Sequence, residues 1–325
     1  MKLSDYRKDC GLVFDFHRGT THDGPGMRTT VFMKGCPLHC AWCHNPESIE
    51  PHPELQWTAG ECIGCHTCVN TCQFAAVQAD EEGIRIRQDW CQECYQCAEK
   101  CPSGALKIVG TYWDVDSLAT EALKDTMFFE DFEGGITLSG GEPILQYRFV
   151  TKFLKKIKEA GQNTALDTCG LGLREAYESV YPYVDTFLYD IKLMDKNEHI
   201  QYTGMSNQLI LSNLIWLIQK ASGDPDKKIW IRTPLIPGAT ATEENIDKIG
   251  KFLKGEVLKG IERWELCAFN NVCRDKYRKM HLEWEYQDTP LMTEDNANRY
   301  LQIARKYVGE KAVLSGLTAR DVHNA

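Results

Sequence analysis

The fold is decided by the stretch GGITLSGGEPILQYRFVTKFLKKIKEAGQNTALDTCG, residues 134–170. It starts with a short apolar run that ends in glycines, and a second run of this kind, NTALDTCG, closes it. Between them, apolar residues recur at the spacings that the buried stripe of a helix requires: Phe149, Val150, Phe153, Leu154 and Ile157. Gly161 then ends the helix. The stretch therefore predicts a strand, a helix and a second strand.

The same alternation continues on both sides of this stretch. Further apolar runs occur at 28–35, 184–192, 228–238 and 263–271, with helix-like segments between the later ones. Six strands alternating with helices predict an α/β fold whose parallel sheet is coiled into a partial or full barrel. Polar motifs follow the strands, and ligands of such folds bind at the carboxyl ends of the strands. We therefore expect the functional site at that edge.

The overall composition argues against two classes of partner. The chain of 325 residues carries 37 basic and 46 acidic residues, a formal net charge of −9, which does not fit nucleic-acid binding. No run approaches the roughly 18 consecutive apolar residues that a membrane span needs. The start, MKLSDYRKDCG, lacks the apolar segment of a signal peptide. We expect a cytoplasmic protein without a membrane partner.

Residues 50–112 interrupt the alternation and contain a repeated cysteine pattern. The spacing C-x2-C-x2-C-x3-C occurs twice, first at Cys62, Cys65, Cys68 and Cys72 and then at Cys91, Cys94, Cys97 and Cys101. In a chain that we expect to be cytoplasmic, such clusters bind metal more often than they form disulfides. We interpret 50–112 as an inserted domain, and 1–49 together with 113–325 as the main domain.

The repeated spacing is that of bacterial ferredoxins with two [4Fe-4S] clusters. In that arrangement the fourth cysteine of each run binds the cluster of the other run. One predicted cluster is therefore held by Cys62, Cys65, Cys68 and Cys101, and the other by Cys72, Cys91, Cys94 and Cys97. Two structural zinc sites are the alternative, but the repeated run of three cysteines with a spaced fourth favours iron-sulfur clusters.

A third group of cysteines has only three members. It lies in KGCPLHCAWCHNPES, residues 34–48, and consists of Cys36, Cys40 and Cys43. Three cysteines can bind three irons of a [4Fe-4S] cluster and leave the fourth iron open, and an open metal position is where chemistry occurs. A zinc site completed by His39 or His44 is the alternative. We expect the catalytic cluster at these three cysteines.

The pattern C-x3-C-x-aromatic-C, with Trp42 in the aromatic position, resembles the signature of radical S-adenosylmethionine enzymes. This resemblance implies a partial (β/α)6 barrel of the radical S-adenosylmethionine type. It also implies that the open iron is chelated by the amino and carboxylate groups of the cofactor's methionine moiety. An electron from the cluster then cleaves the cofactor and releases a 5'-deoxyadenosyl radical.

The resemblance also assigns residues to the cofactor. The segment SGGEP, residues 139–143, matches the segment that binds the methionine amino group, with Glu142 as an acceptor. Lys192 of YDIK would meet the cofactor carboxylate, while Asp167 and Asp190 would hold a monovalent cation, Na⁺ or K⁺. An ion pair between Asp190 and Lys192 is the alternative, because side chains two apart on a strand share a side. The other positions expected at the cofactor are Trp42, His44, Ser139, Gly140, Gly141, Arg232 and Asn270.

Upstream, the segment THDGPGMRTTVF, residues 21–32, resembles one particular family within this superfamily. Asp23, Gly24, Gly26 and Arg28 resemble the D-G-P-G-x-R motif of glycyl radical enzyme activating enzymes. CHNPES, residues 43–48, resembles the same family, whose motifs appear in order from about residue 12 to about residue 318. In the family, the D-G-P-G-x-R loop helps to hold a glycine-bearing peptide of the partner beside the cofactor.

Several expectations follow from this resemblance. The radical would remove a hydrogen from one glycine of a large partner, a glycyl radical enzyme, and so install its glycyl radical. The ferredoxin-like insert is typical of the longer members of the family, so that the chain would carry three [4Fe-4S] clusters. Reduced flavodoxin or ferredoxin would supply the electron under anaerobic conditions, and the protein is expected to be a monomer.

Two other functions remain open from the residues. One is a radical enzyme that modifies a peptide or small molecule by itself; such enzymes usually carry their extra cluster domain at the C-terminal end, where this chain has no cysteine. The other is a plain ferredoxin-type electron carrier, which would leave SGGEP, YDIK and the three-cysteine group unexplained. We expect the four remaining cysteines to be buried thiols: Cys10, Cys169, Cys267 and Cys273.

Overall fold

The structure, a computed structural model, describes residues 9–319. Part of the N-terminal stretch on which the expected lack of a signal peptide rests, residues 1–8, lies outside this range. The strands found within it are β1 Gly11–Thr20, β2 Arg28–Met33, β3 Glu54–Trp57, β4 Val77–Asp80, β5 Gly83–Ile86, β6 Leu106–Val109, β7 Thr111–Trp113, β8 Gly135–Gly140, β9 Asn163–Thr168, β10 Thr186–Asp190, β11 Lys228–Leu235, β12 Arg263–Ala268 and β13 Ala312–Ser315.

The α-helices of the described range alternate with the later strands. They are α1 Thr67–Thr71, α2 Gln96–Glu99, α3 Val115–Ala122, α4 Thr126–Asp131, α5 Tyr147–Glu159, α6 Arg174–Val180, α7 Lys196–Thr203, α8 Gln208–Ala221, α9 Glu243–Leu253, α10 Glu256–Gly260, α11 Arg274–Lys279 and α12 Glu294–Val308. In this part of the chain, none is long and apolar enough to cross a membrane.

One large sheet forms the frame of the molecule. Its strand order is β13-β12-β11-β10-β9-β8-β2-β1-β7, and all neighbours from β2 to β13 are parallel. The six strands that the sequence predicts are all present and parallel. The structure adds a seventh parallel strand, β13, which at four residues is too short to show a period, and two antiparallel strands, β1 and β7. Parallel pairing brings the carboxyl ends of seven strands to one edge.

Burial on both faces explains why this sheet forms. Every residue of β2 is buried, including its polar ones, as expected for a parallel strand covered on both sides. Helix α5 packs against β9, and the five apolar residues of the predicted stripe are all buried. Gln146, just before α5, donates to the backbone oxygens of Leu12 (3.1 Å) and Lys34 (2.8 Å). It thereby ties β1 and the end of β2 to this helix.

The cysteine-rich segment forms two small antiparallel sheets, β3 with β6 and β4 with β5. It has its own apolar core, which includes Leu55, Trp57, Val77, Ile84 and Leu106. The predicted end of the insert at 112 needs a correction. Strand β7 pairs with β1 of the large sheet, so the chain rejoins the main domain at Thr111.

Two contacts fix the insert against the main domain. Lys34, at the end of β2 and fully buried, donates from Nζ to Glu54 Oε2 of β3 at 2.6 Å and to the Glu47 backbone oxygen at 2.6 Å. On the other side, the Trp57 ring stacks on the His281 ring with centroids 5.8 Å apart and planes 10° apart.

Candidate active site

A cavity of about 590 Å³ opens at the carboxyl edge of the parallel strands. Most residues that the sequence assigns to the cluster or the cofactor line it. They come from the loop after β2 and from the ends of β8, β9, β10, β11 and β12, and they are Cys36, Cys40, Trp42, Cys43, His44, Ser139, Gly140, Gly141, Asp167, Asp190, Lys192, Arg232 and Asn270. Parallel register explains this convergence, since it aligns Asp190 with Arg232 and Arg232 with Glu265.

The loop with the three cysteines is held by its backbone. The amide of Cys36 donates to the Ile49 oxygen (2.9 Å), and those of His39 and Ala41 donate to the oxygens of Thr203 (2.8 Å) and Tyr202 (2.9 Å) at the end of α7. These bonds fix the backbone of the loop, and its three cysteines line the cavity.

An aromatic layer from residues 277–286 covers the back of this loop, and the sequence analysis did not predict it. Tyr277 Oη donates to the Cys43 oxygen (2.8 Å), and Trp284 Nε1 donates to the Ala41 oxygen (3.1 Å). The two rings stack on each other with centroids 4.9 Å apart. Trp42 and Phe269 are buried in the same apolar cluster. This layer keeps water away from one side of the loop.

The buried surroundings of Cys36, Cys40 and Cys43 suit a metal cluster, because its iron ions supply the positive charge that buried thiolates need. Burial raises the pKa of Cys40 to about 12 and raises the pKa of Cys43 further. A hydrogen bond from the Cys169 side chain lowers the pKa of Cys36. Metal ligands must be thiolates, and buried thiolates are stable only beside cations. Three such thiols at the wall of a large cavity fit three irons of a cluster with one iron facing the open space.

The SGGEP turn packs tightly against the cysteine loop. A Cβ on Gly141 would lie 2.3 Å from the Gly35 oxygen, so this position requires glycine. The amide of Gly141 donates to the Met33 oxygen (2.8 Å), and that of Glu142 donates to the Gly35 oxygen (2.8 Å). The glycines thus bring the turn's backbone to the cavity wall next to Cys36.

Glu142 is the residue of this turn that the sequence assigns to the cofactor's ammonium group. It is fully buried and is absent from the cavity lining. Its carboxylate accepts from the amides of Ile144 (3.1 Å) and Cys169 (2.7 Å) and from the Thr168 hydroxyl. Through these donors Glu142 fixes the turn and the end of β9. Its contact with the cofactor's ammonium group stays a prediction.

Two acidic and two basic side chains meet in the cavity. Lys192 forms an ion pair with Asp190, as the alternative interpretation expected. Asp167 accepts from Ser139 Oγ (2.7 Å) and lies 3.4 Å from Arg232 Nη1. Burial raises the pKa of Asp167 to about 6, although the positive charge of Arg232 opposes this shift. Two acidic and two basic side chains at one site can bind a zwitterion, such as the amino acid moiety of a ligand.

Arg232 also has spare hydrogen-bonding capacity. Its Nε lies 3.4 Å from Glu265 Oε2, but both atoms are buried without a well-aligned partner. A buried donor without a partner costs free energy, so a ligand that accepts from Arg232 would be favoured. His44 lies nearby, edge-on to Phe269, and burial lowers its pKa. It is therefore neutral near pH 7.

The D-G-P-G-x-R loop reaches the cavity through one residue, His22. Asp23 is half-buried and accepts from Thr30 Oγ1 (2.7 Å), Gly24 is buried, and Gly26 is exposed. None of the four predicted peptide-binding residues is part of the cavity lining.

Arg28 needs a correction, because it is fully buried. Its guanidinium donates to the oxygens of Pro25 (3.0 Å) and Ile136 (2.9 Å), to Thr137 Oγ1 (2.6 Å) and to Asn163 Oδ1 (3.0 Å). Burial lowers its pKa to about 10, which leaves it charged at neutral pH. Arg28 thus supports the loop from beneath and does not face a docked peptide.

In the insert, the eight cysteines divide between two small cavities. One cavity is lined by Cys62, Cys65, Cys68 and Cys101, and the other by Cys72, Cys91, Cys94 and Cys97. Each group takes three cysteines from one repeat and one from the other, which is the division that the ferredoxin spacing predicts. Apolar walls, including Trp57 and Ile84 in the first cavity and Leu55 and Val77 in the second, fit buried clusters.

Some residues of the large cavity were not predicted. Ser315 ends β13, and Gly316 and Leu317 follow it. They lie at the carboxyl end of a parallel strand, where ligands bind, so recognition of the seventh strand would have identified them. Cys169 and Cys267, expected only as buried thiols, also line the cavity at the ends of β9 and β12. Leu38, Pro234 and Ile236 add apolar surface and had no signal in the sequence.

Comparison with known proteins supports the iron-sulfur assignment. A family model described as a 4Fe-4S dicluster domain matches residues 61–106. A second, described as a 4Fe-4S single cluster domain, matches residues 22–63. Among solved structures, a radical SAM methyltransferase from Sphaerobacter thermophilus is similar, with a TM-score of 0.52 at 13% identity over 94% of this chain and 73% of that one. The fold is thus that of radical S-adenosylmethionine enzymes.

Curated relatives are more specific. Trans-4-hydroxy-L-proline dehydratase activating enzyme of Clostridioides difficile is 38% identical, with 87% of this chain and 92% of that protein covered. Isethionate sulfite-lyase activating enzyme of Oleidesulfovibrio alaskensis is 41% identical, with 77% and 82% covered. The chain belongs to the family of glycyl radical enzyme activating enzymes.

Proposed function

We propose that this enzyme cleaves S-adenosylmethionine reductively and uses the resulting 5'-deoxyadenosyl radical to remove a hydrogen from one glycine of a glycyl radical enzyme. The observation that carries the proposal is the convergence of three cysteines, a glycine turn and a balanced set of charges on one cavity. The names of the relatives, which activate a dehydratase and a sulfite-lyase, agree with it.

The cavity residues divide into groups that would hold different parts of the cofactor. Cys36, Cys40 and Cys43 would hold the cluster, which when bound supplies one electron to the sulfonium. Lys192 would meet the cofactor carboxylate, and the backbone at Ser139, Gly140 and Gly141 would accept from its amino group. At the adenosine end we place Trp42, His44, Arg232 and Asn270. A monovalent cation would lie between Asp167 and Asp190, where it would add to the charges of Arg232 and Lys192.

The chain's own task is to position the reactants and to exclude water. A primary carbon radical reacts with the nearest C–H bond, so the distance to the target glycine decides the product. The aromatic layer would shield the back of the cysteine loop from water, and Leu38 and Ile236 give the cavity apolar surface. The loop with Asp23, Gly24 and Gly26, supported by Arg28, would guide the glycine-bearing peptide towards His22 and the cavity.

The finer architecture belongs to the same proposal. The main domain would be a partial (β/α)6 barrel with the short strand β13 at one edge, and the insert between about residues 50 and 110 would hold two further [4Fe-4S] clusters. Three clusters in all would let flavodoxin or ferredoxin deliver electrons through the insert in a monomeric, cytoplasmic enzyme. The division of the insert cysteines into two sets of four supports this count.

The test is to mix the anaerobically reduced protein with S-adenosylmethionine and a glycyl radical enzyme encoded beside it. We expect a glycyl radical doublet by electron paramagnetic resonance, together with methionine and 5'-deoxyadenosine. Cys40→Ala should abolish both, because it removes one of three cluster ligands, whereas Cys10→Ala, outside the cavity, serves as the matched control. Cofactor cleavage without a doublet on any such partner would favour the stand-alone radical enzyme instead.

A further inference from the structure

The mouth of the large cavity is marked by its exposed residues. Among the described residues that line the cavity, only His22, Gly316 and Leu317 are exposed. His22 lies between β1 and β2, near one end of the strand order, whereas Gly316 and Leu317 follow β13 at the other end. The cavity therefore opens to solvent between the two ends of the large sheet, and a ligand that enters there passes these residues.

The segment that follows β13 is fixed on both sides of Leu317. At Gly316, φ is +90° and a Cβ would lie 2.9 Å from the Ala268 oxygen, so glycine allows the chain to approach the end of β12 closely. Further along, the Ala319 amide donates to the Met292 oxygen at 2.9 Å. Because Leu317 lies between these two contacts, its side chain extends from a backbone of fixed position.

Apolar residues lead from the interior of the cavity to this mouth. The ends of β9 and β10 contribute the carboxylates of Asp167 and Asp190 to the lining. The ends of β11, β12 and β13 each contribute an apolar residue as well, namely Ile236, Phe269 and Leu317. Ile236 and Phe269 are buried, whereas Leu317 is 58% exposed. The apolar side of the cavity thus reaches solvent at Leu317.

The proposed reaction brings two reactants to this cavity. The cofactor would lie at the three cysteines and the charged side chains. The second reactant is a segment of polypeptide, and its glycine has to enter through the mouth. Single exposed apolar residues are common on protein surfaces and need no explanation. Leu317 differs from them, because it has a fixed backbone and also lines the cavity in which the radical would form.

We propose that Leu317 contacts the glycine-bearing segment of the partner and, together with His22, guides it into the cavity. This rests on the proposed function, which requires such a segment. The bound segment covers the Leu317 side chain, and this burial of apolar surface stabilises the complex. It also closes the mouth to water while the radical reacts. Leu317 therefore affects how the partner binds and leaves cleavage of the cofactor unchanged.

The experiment compares the wild-type holoenzyme with Leu317→Ala and Leu317→Met in glycyl radical formation on the glycyl radical enzyme encoded beside it. We expect Leu317→Ala to raise KM for the partner about tenfold, because most of a buried apolar side chain is lost. Leu317→Met keeps the apolar bulk and should stay close to the wild type. KM for S-adenosylmethionine, and its cleavage without the partner, should not change. Leu173→Ala is the matched control, since Leu173 is 69% exposed and does not line the cavity.

A second measurement keeps the test independent of turnover. Calorimetric titration of the unreduced proteins with the partner, in the presence of S-adenosylmethionine, should show the same loss of affinity for Leu317→Ala. Equal affinities of wild type and Leu317→Ala for the partner would overturn the proposal, as would an equal loss in Leu173→Ala. A larger loss of affinity for S-adenosylmethionine than for the partner would overturn it too, because Leu317 would then belong to the cofactor site. A wild type that forms no glycyl radical would instead contradict the proposed function, and the titration decides the role of Leu317 separately.

Discussion

Glu142 is a carboxylate without access to water. Burial is the largest influence on it and raises its pKa to about 7, although its hydrogen bonds oppose this shift. A carboxyl group with a raised pKa holds its proton in the folded chain at a pH where the unfolded chain has lost it. Its contribution to stability is therefore fully present below the ordinary pKa of about 4.5 and is lost as the pH rises through about 7.

This behaviour predicts a pH-dependent effect of Glu142→Gln. Each unit of pKa shift corresponds to about 1.4 kcal/mol. At low pH the variant should be less stable than the wild type, and the gap should narrow as the pH rises from about 5 to about 8, because only the wild type loses stability on ionisation. Anaerobic thermal unfolding of both proteins across this range measures the gap. A gap that stays constant would show that Glu142 does not titrate there.

Motifs located the site residues well, but they did not give the directions of all side chains. The cysteines that were grouped by their spacing line common cavities, because the spacing reflects the geometry of a shared site. Glu142 and Arg28 lie in the expected motifs, yet both are fully buried and hold backbone groups. A sequence shows that a charged residue follows a strand, whereas the donors that turn it inward, such as Thr168 for Glu142, come from another strand.

At the scale of elements, the sheets of the insert depend on a close approach between β5 and β3. Gly83 begins β5 with a φ of +127°, and a Cβ there would lie 2.2 Å from Trp57 Cη2. Trp57 itself lines the cavity of Cys62 and stacks on His281. One methyl group would therefore disturb the insert's core, one cluster site and the contact with the main domain.

Gly83→Ala should consequently destabilise the insert by about 1–3 kcal/mol, from strain in the left-handed region and overpacking. We expect loss of iron from the insert while the cluster of the main domain is retained, measured as iron per protein and by the spectrum of the cluster that responds to S-adenosylmethionine. Gly60→Ala is the matched control, since nothing lies within 4 Å of a Cβ there. Equal iron contents in both variants would contradict the expected clash.

Periodicity predicted long elements better than short or irregular ones. The six strands and helix α5 were recognised because their apolar residues repeat over a full element. Strand β13 has only four residues, and the aromatic layer of residues 277–286 has no period at all. Its role arises from contacts with a loop more than 230 positions earlier in the chain, such as Tyr277 with Cys43. Pattern analysis within a window does not detect such contacts.

At the scale of the whole molecule, the Lys34–Glu54 ion pair joins the insert to the main domain close to the loop with Cys36, Cys40 and Cys43. Its side chains are 0% and 9% exposed. Lys34 stands two residues before Cys36, so we expect a displacement of the insert to disturb the loop that is proposed to hold the catalytic cluster.

Removal of one partner should therefore be costly. Lys34→Met or Glu54→Leu alone leaves a buried charge without its partner, a loss of about 3–5 kcal/mol in stability. The double variant replaces the pair by apolar side chains and should recover most of this loss. Urea unfolding of the anaerobic proteins in a double-mutant cycle measures the coupling. If the two single effects simply add, the pair is not the connection between the domains that we describe.

Each insert cavity takes one cysteine from the other repeat, and this arrangement limits how the segment can be lost in evolution. A descendant that lost the second run would keep three ligands of one centre, which leaves one iron there without a protein ligand, and a single ligand of the other. Gradual reduction from two complete centres to one complete centre is thereby disfavoured. Lineages of such chains are expected to carry both runs or to have discarded the whole segment at once.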